Sequence, residues 1–311
     1  MIKNQSVRIE CDMKKLFLNI ILLLILLLLL LNPEITLKGA QNGLTLWYKA
    51  ILPSLLPFMI ISNFIVQYDF TDTISFIMRP ITALLKLEKK AGYCIFAGLF
   101  FGYPACAATA VSMYKRGLIN STTANICISS FNNISPAFLS GYVCITILKS
   151  LKYMPLVFLI HYLTILINSL FVRYVIYNKC SENRIVSSLS NDKHSDVPII
   201  SSIKNISKLG AYIMMFSIFS EYVQIFAGKF APVICSISEI TCGIQLLSKY
   251  IHNNILLLSV IMPFMAFGGL CGTFQTFCID TLGITDKKRY IISRLSAVII
   301  STFLSFILYI I

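Results

Sequence analysis

Charge is scarce in this chain, and negative charge is scarcest: 13 acidic residues stand against 26 Lys and Arg among 311. A soluble domain of this length carries roughly a quarter charged residues. Here 13% are charged and 57% hydrophobic, with a mean hydropathy of +0.80, more apolar surface than a soluble core of this size can use. The ten cysteines include no C-x-x-C pair, and His161, His194 and His252 lie in unrelated segments without H-x-x-x-H spacing. Both absences argue against a metal site. Cys94, Cys106, Cys127, Cys144, Cys235, Cys242, Cys271 and Cys278 sit within apolar runs and read as small buried hydrophobes. No G-x-S-x-G, H-E-x-x-H or G-x-x-x-x-G-K-[ST] stretch is present, so the sequence points away from an enzyme and calls for no cofactor. No basic face interleaved with aromatics argues for nucleic acid.

What is present is membrane sequence. Uncharged runs of about the 20 residues that a bilayer requires recur near 92–114, 118–148, 153–172 and 250–279. The fold class expected is an all-α, polytopic membrane helix bundle of about eight to ten membrane segments, with broken or re-entrant helices and a two-half repeat. The partner this implies is the lipid bilayer. Residues 1–15 are a basic N-terminus, placed in the cytoplasm by the positive-inside bias. Residues 16–42 hold the run LFLNIILLLILLLLLL, read as an uncleaved anchor helix, and a loop. A first membrane half spans 43–177, a polar loop 178–205, and a second membrane half 206–311.

Within the first half, Pro53 and Pro57 predict a kinked or broken helix packed deep in the bundle. The stretch around Arg79 and Pro80 reads as amphipathic or half-spanning, and Ala231–Leu247 as re-entrant. Placing Phe101 over Phe267 also sets Gly102 on Gly268 and Gly117 on Gly283, which suggests an internal repeat of the kind found around transporter sites.

The chemistry concentrates in a few groups. SSFNNISPAF puts Asn132, Asn133, Ser135 and Pro136 inside an apolar run, where unsatisfied amides cost several kcal/mol. They must bond other helices, freed backbone or a ligand. A broken helix beside two carboxamides can recognise a polar, uncharged solute, and the same amides can equally serve as glue between helices. Gly102 and Pro104 in GLFFGYPAC, together with Gln275 in FGGLCGTFQ, are added to that candidate solute site. Gly98, Gly268 and Gly272 fit close helix packing through G-x-x-x-G spacing. Glu221 and Glu239 are carboxylates in apolar runs, and Glu239 has the greater weight because Glu221 lies near a helix end.

Taken in order, GLTLWYKAILPSLLPFMIISNF, GLFFGYPA, FNNISPAFLSG, HYL, SEITCGIQLL and FGGLCGTFQ resemble the sporulation integral membrane protein YlbJ family of spore-forming Firmicutes. Its members carry the nucleoside-recognition or gate domain also found in spore maturation proteins and in the ferrous iron transporter FeoB. The resemblance runs from about Gly43 to the C-terminus. It implies a multi-pass cell-membrane protein of spore formation, with a fold similar to nucleoside-transporter cores and a small polar, nucleoside-like solute as ligand. The alternative is a non-transporting scaffold for cortex assembly, meeting other sporulation membrane proteins through the polar loop.

Overall fold

The computed structural model describes residues 19–20, 22–178 and 198–310. The basic N-terminus and most of the polar loop, expected as cytoplasmic tail and scaffold contact, lie outside the described residues. Among the described residues every element is helical.

Helix α1 (Leu22–Leu31) bends by 100° into α2 (Pro33–Leu46), so the expected anchor lies across the direction of the helix that follows it. A π-turn at Trp47–Ile51 joins α2 to α3 (Leu52–Gln67) without a break. The widened turn sits just before Pro53 and Pro57, where prolines deny bonds to preceding carbonyls, and it absorbs the distortion predicted as a kink. Two short helices, α4 (Thr71–Ile77) and α5 (Arg79–Leu84), cap that end of the bundle.

Next comes a hairpin of half-length helices, α6 (Ala91–Phe101) and α7 (Ala105–Lys115), each about 16 Å at 1.5 Å per residue. The run near 92–114, expected as one span, is therefore folded back on itself. Gly102, at φ 76, and Pro104 supply the turn. Helix α8 (Ser121–Phe131) stops at Asn132, and a π-helical segment, Phe138–Ile147, carries the chain on to the far end. Helix α9 (Met154–Phe171) then returns.

The second half repeats the order with opposite sense. Helix α10 (Pro198–Phe226) begins inside the stretch expected as loop. It leads to a second hairpin, α11 (Ala231–Ser238) and α12 (Ile240–Tyr250), with Glu239 at its tip. An interrupted helix follows, α13 (Asn254–Phe267) and α14 (Gly269–Ile279), and then α15 (Lys287–Ile310). The first hairpin enters from the end that holds Lys90 and Lys115, the second from the opposite end near Lys229 and Lys249. That is an inverted repeat. It pairs hairpin tip with hairpin tip, Gly102–Pro104 with Ser238–Glu239. The register that set Phe101 on Phe267 instead matched a hairpin tip to the break between α13 and α14, because two similar glycine signals served different turns.

Among the described residues, four helices are long and apolar enough to cross a membrane, or five if the bent α1–α2 pair counts as one. The other apolar stretches include half-length helices, which register in the sequence as membrane segments without crossing. The chain is a multi-pass membrane protein.

Small residues set the closest approaches. Gly39 and Gly43 let α2 lie against the backbone of α10 at Ile218 and Met214, and Gly210 fits beneath Trp47. Gly98 brings α6 onto the carbonyl of Phe131, where any Cβ would collide.

One end of the bundle is strongly basic. Lys90 pairs with Asp69 there, Arg173 caps Leu85, Arg116 caps Gln67, and Arg289 lies over Tyr177. Lys86, Lys89, Lys204, Lys208, Lys287 and Lys288 belong to the same end, while Lys149, Lys152, Lys229 and Lys249 mark the other. The excess of Lys and Arg is the mark of a cytoplasmic face.

Candidate functional site

Each half contributes one hairpin tip and one helix break, and all four meet at mid-bundle. Between them lies a cavity of about 370 Å³. Phe101, Tyr103 and Pro104 reach it from the first tip, Ile134, Ser135 and Phe138 from the first break, Glu239 to Thr241 from the second tip, and Gly268 to Gln275 from the second break, with α10 and the α2–α3 helix closing the side.

The lining is mostly apolar, with a few fixed polar groups, the usual make-up of a small-molecule site. Glu239 caps α12: its two carboxylate oxygens accept from the backbone N–H groups of Thr241 at 3.0 Å and Cys242 at 2.8 Å. That arrangement holds a carboxylate in an apolar region by giving it the positive end of a helix. Tyr142 donates its hydroxyl to the Thr241 carbonyl at 2.7 Å, tying the first break to the second tip. The Phe138 N–H donates to Ser135 Oγ at 3.3 Å, and the Gln275 amide leans on Cys271 Sγ. The Tyr103 ring packs on Gly272, where a Cβ would stand 3.1 Å from it. The starts of α7, α12, α14 and the Phe138–Ile147 segment all face the cavity, so backbone N–H dipoles converge on whatever occupies it.

Of the solute contacts expected from the sequence, Pro104, Ser135, Glu239 and Gln275 line the cavity. Gly102 and Pro136 shape the backbone beside it. Asn132 and Asn133 are not part of the lining and are turned into the protein. Asn132 donates to Thr276 Oγ1 at 2.7 Å, and Asn133 donates to the Ser130 carbonyl at 2.7 Å. Arg294, 2% exposed on α15, explains why. Its guanidinium donates to Asn133 Oδ1 at 2.7 Å, to the Asn132 carbonyl at 2.7 Å and to the Ile128 carbonyl at 3.4 Å, and it lies 4.8 Å over the Tyr290 ring. A helix that ends inside a bundle leaves carbonyls without partners, and a buried cation at that negative end satisfies them. Glu221 is held elsewhere, by Lys38 at 2.9 Å and Asn42 at 2.8 Å.

Arg294, Tyr103, Tyr142 and Thr276 escaped the sequence reading. Arg294 left one available signal, a cation four residues into the apolar run that starts at Tyr290. Among the described residues no group of three or more His, Cys, Asp or Glu side chains could hold a metal ion.

Residues 48–154 match the family model Gate: Nucleoside recognition. The matched segment contains α3, the first hairpin and the whole first break, and so all of the first-half cavity lining except Leu46. The chain is also similar to the sporulation integral membrane protein YlbJ of Bacillus subtilis (strain 168), 21% identical over 218 residues of alignment that take in 62% of this chain and 53% of the relative. The chain thus spans about half of that relative's length. No solved structure matches it.

Proposed function

We propose that this membrane protein acts in spore formation by binding a small polar, nucleoside-like solute in the mid-bundle cavity and passing it between the two ends. The observation that carries this reading is the meeting of two hairpin tips and two helix breaks on one cavity of about 370 Å³. Irregular backbone at membrane depth is tolerated where it lines a cavity or is buried in protein, and an inverted repeat around such a cavity is the plan of secondary transporters. The gate segment's family description supplies the solute class, and the relative's name supplies the spore.

In this reading the apolar walls of Phe101, Tyr103 and Ile240 take a planar base. Glu239 keeps lone pairs beyond its two capping bonds and accepts from sugar hydroxyls, while Gln275 and Ser135 offer donors and acceptors without added charge. A test is equilibrium binding of tritiated nucleosides to the purified chain, followed by uptake into proteoliposomes. Gly272→Leu fills the cavity at the Tyr103 ring and is expected to abolish both while leaving a monodisperse protein. Absence of binding across purine and pyrimidine nucleosides, or full binding by the filled variant, would overturn the reading.

A further inference from the structure

Phe101, the last residue of α6, forms part of the mid-bundle cavity wall, and the Phe58 ring lies flat against it, with centroids 3.3 Å apart and planes 19° from parallel. Phe58 itself belongs to the next space along. With Ser62, Ala105, Ala108 and Thr109 it lines a void of about 10 Å³, room for a single water. The helices that bound this void set its direction. Both α3 and α7 leave the cavity, from Leu55 and Pro104, and both run to the basic end, where the Arg116 guanidinium donates to the Gln67 carbonyl at 3.1 Å. At about 1.5 Å per residue, Ser62 and Thr109 stand about 7 to 10 Å beyond the cavity wall. The α7 face turned to the void is built of small side chains, Ala105, Ala108 and Thr109, at i, i+3 and i+4. On α3 the same stretch changes from aromatic to polar. One turn after Phe58 comes Ser62, whose hydroxyl lies 3.3 Å from Thr109 Oγ1 and accepts from the Tyr93 hydroxyl at 3.1 Å. A lane with small walls and fixed hydroxyls suits a polar, uncharged molecule, and the ring pair stands between that lane and the cavity.

We propose that the solute's route between the cavity and the basic end runs between α3 and α7, and that the Phe58–Phe101 pair is its gate. This rests on the reading of the cavity as a transport site. A stacked aromatic pair is worth about 0.5 to 1.5 kcal/mol beyond the area it buries, little enough for the rings to part in each cycle. Phe101 is also held edge-on by Phe96 at 5.9 Å, so the moving leaf is Phe58.

The test reads access to Cys271, a native thiol in the cavity wall, in the full chain with its other cysteines replaced by serine or alanine. Membrane vesicles of either orientation are treated with the impermeant methanethiosulfonate-ethyltrimethylammonium, and modification is followed by mass. Phe58→Ala is expected to speed modification from the basic side at least about tenfold and to leave the rate from the opposite side within about twofold, whereas Phe58→Trp keeps the slow rate. An unchanged rate in Phe58→Ala, or one raised equally from both sides, overturns the proposal. Should Phe58→Ala fail to fold, Ala108→Cys in a chain without other thiols decides. It lies on the far side of the ring pair and is expected to react from the basic side at least about tenfold faster than Cys271, and an equal or slower rate rejects the gate. The labelling needs no solute, so a failed gate leaves nucleoside binding to the cavity intact, and a failed solute reading shows as absent nucleoside binding with the labelling pattern unchanged.

Discussion

Removing Asn133 is expected to harm this protein more than removing the arginine it holds. In Asn133→Leu, the Arg294 guanidinium loses its bond to Oδ1 at 2.7 Å while remaining buried at 2% exposure, and Ser130 loses its amide partner. A hydrogen bond to a charged group typically contributes about 1.5 to 3 kcal/mol, and the Ser130 carbonyl left without its amide adds about 1 to 3. In Arg294→Met the orphans are neutral: Asn133 Oδ1 and the carbonyls of Asn132 and Ile128. The two short bonds represent about 2 to 6 kcal/mol of desolvated acceptors at about 1 to 3 each. Against this, a charge that costs about 2.5 to 3.5 kcal/mol to place at membrane depth is gone. The net change therefore runs from a gain of about 1.5 kcal/mol to a loss of about 3.5 kcal/mol. The double variant leaves neither an unpaired cation nor an orphaned amide oxygen, and its loss should fall short of the summed single losses by about 1 to 3 kcal/mol. Reversible unfolding in mixed micelles of dodecyl sulfate measures all three. Additive losses, or an Asn133→Leu protein as stable as wild type, would refute the view that Arg294 and Asn133 together close the end of α8.

Other outcomes follow from single contacts. Gly98→Ala should cost about 1 to 3 kcal/mol in the same unfolding assay, since its Cβ meets the Phe131 carbonyl and one of two packed helices must shift. Glu239→Ala strips the cap from Thr241 and Cys242, and should lower stability by about 0.5 to 2 kcal/mol and weaken nucleoside binding, whereas Glu239→Gln keeps an acceptor and should lose less of both. Lys38→Met should change stability by less than about 1 kcal/mol, because the lysine side chain is 68% exposed and Glu221 retains Asn42. Cysteines placed at Lys288 and at Lys152 on a background without reactive native cysteines should react with an impermeant maleimide from opposite sides of intact vesicles. Labelling of both from one side would reject the inverted arrangement of the halves.

Much of this plan was written in local chemistry. Asn132 to Pro136 announced an interruption because amides and a proline cannot sit unpartnered in an apolar helix, and Ala231–Leu247 announced a re-entrant piece because 17 residues bearing a carboxylate make a poor crossing. The destination of those amides could not be read the same way. Arg294 lies about 160 positions downstream and looks like an ordinary cation near a helix start. The pairing of the halves was hidden for another reason. An inverted repeat preserves backbone shape, a tip at mid-depth, and the two tips reach it with unrelated residues, Gly-Tyr-Pro in one and Ser-Glu in the other. The first hairpin was missed because two half-length apolar helices in succession have the length and composition of one full crossing.

The two interruptions differ in how firmly they are fastened. The first is bolted by Arg294 across to α15 and by Asn132 to Thr276. The second rests on Gly268 and Gly269, at φ 80 and 70, and α14 starts without any side-chain cap. Glycine's freedom at positive φ lets the second elbow hold its angle without a cap, so a side chain at Gly268 would strain that interruption as directly as a neutral residue at Arg294 would strain the first.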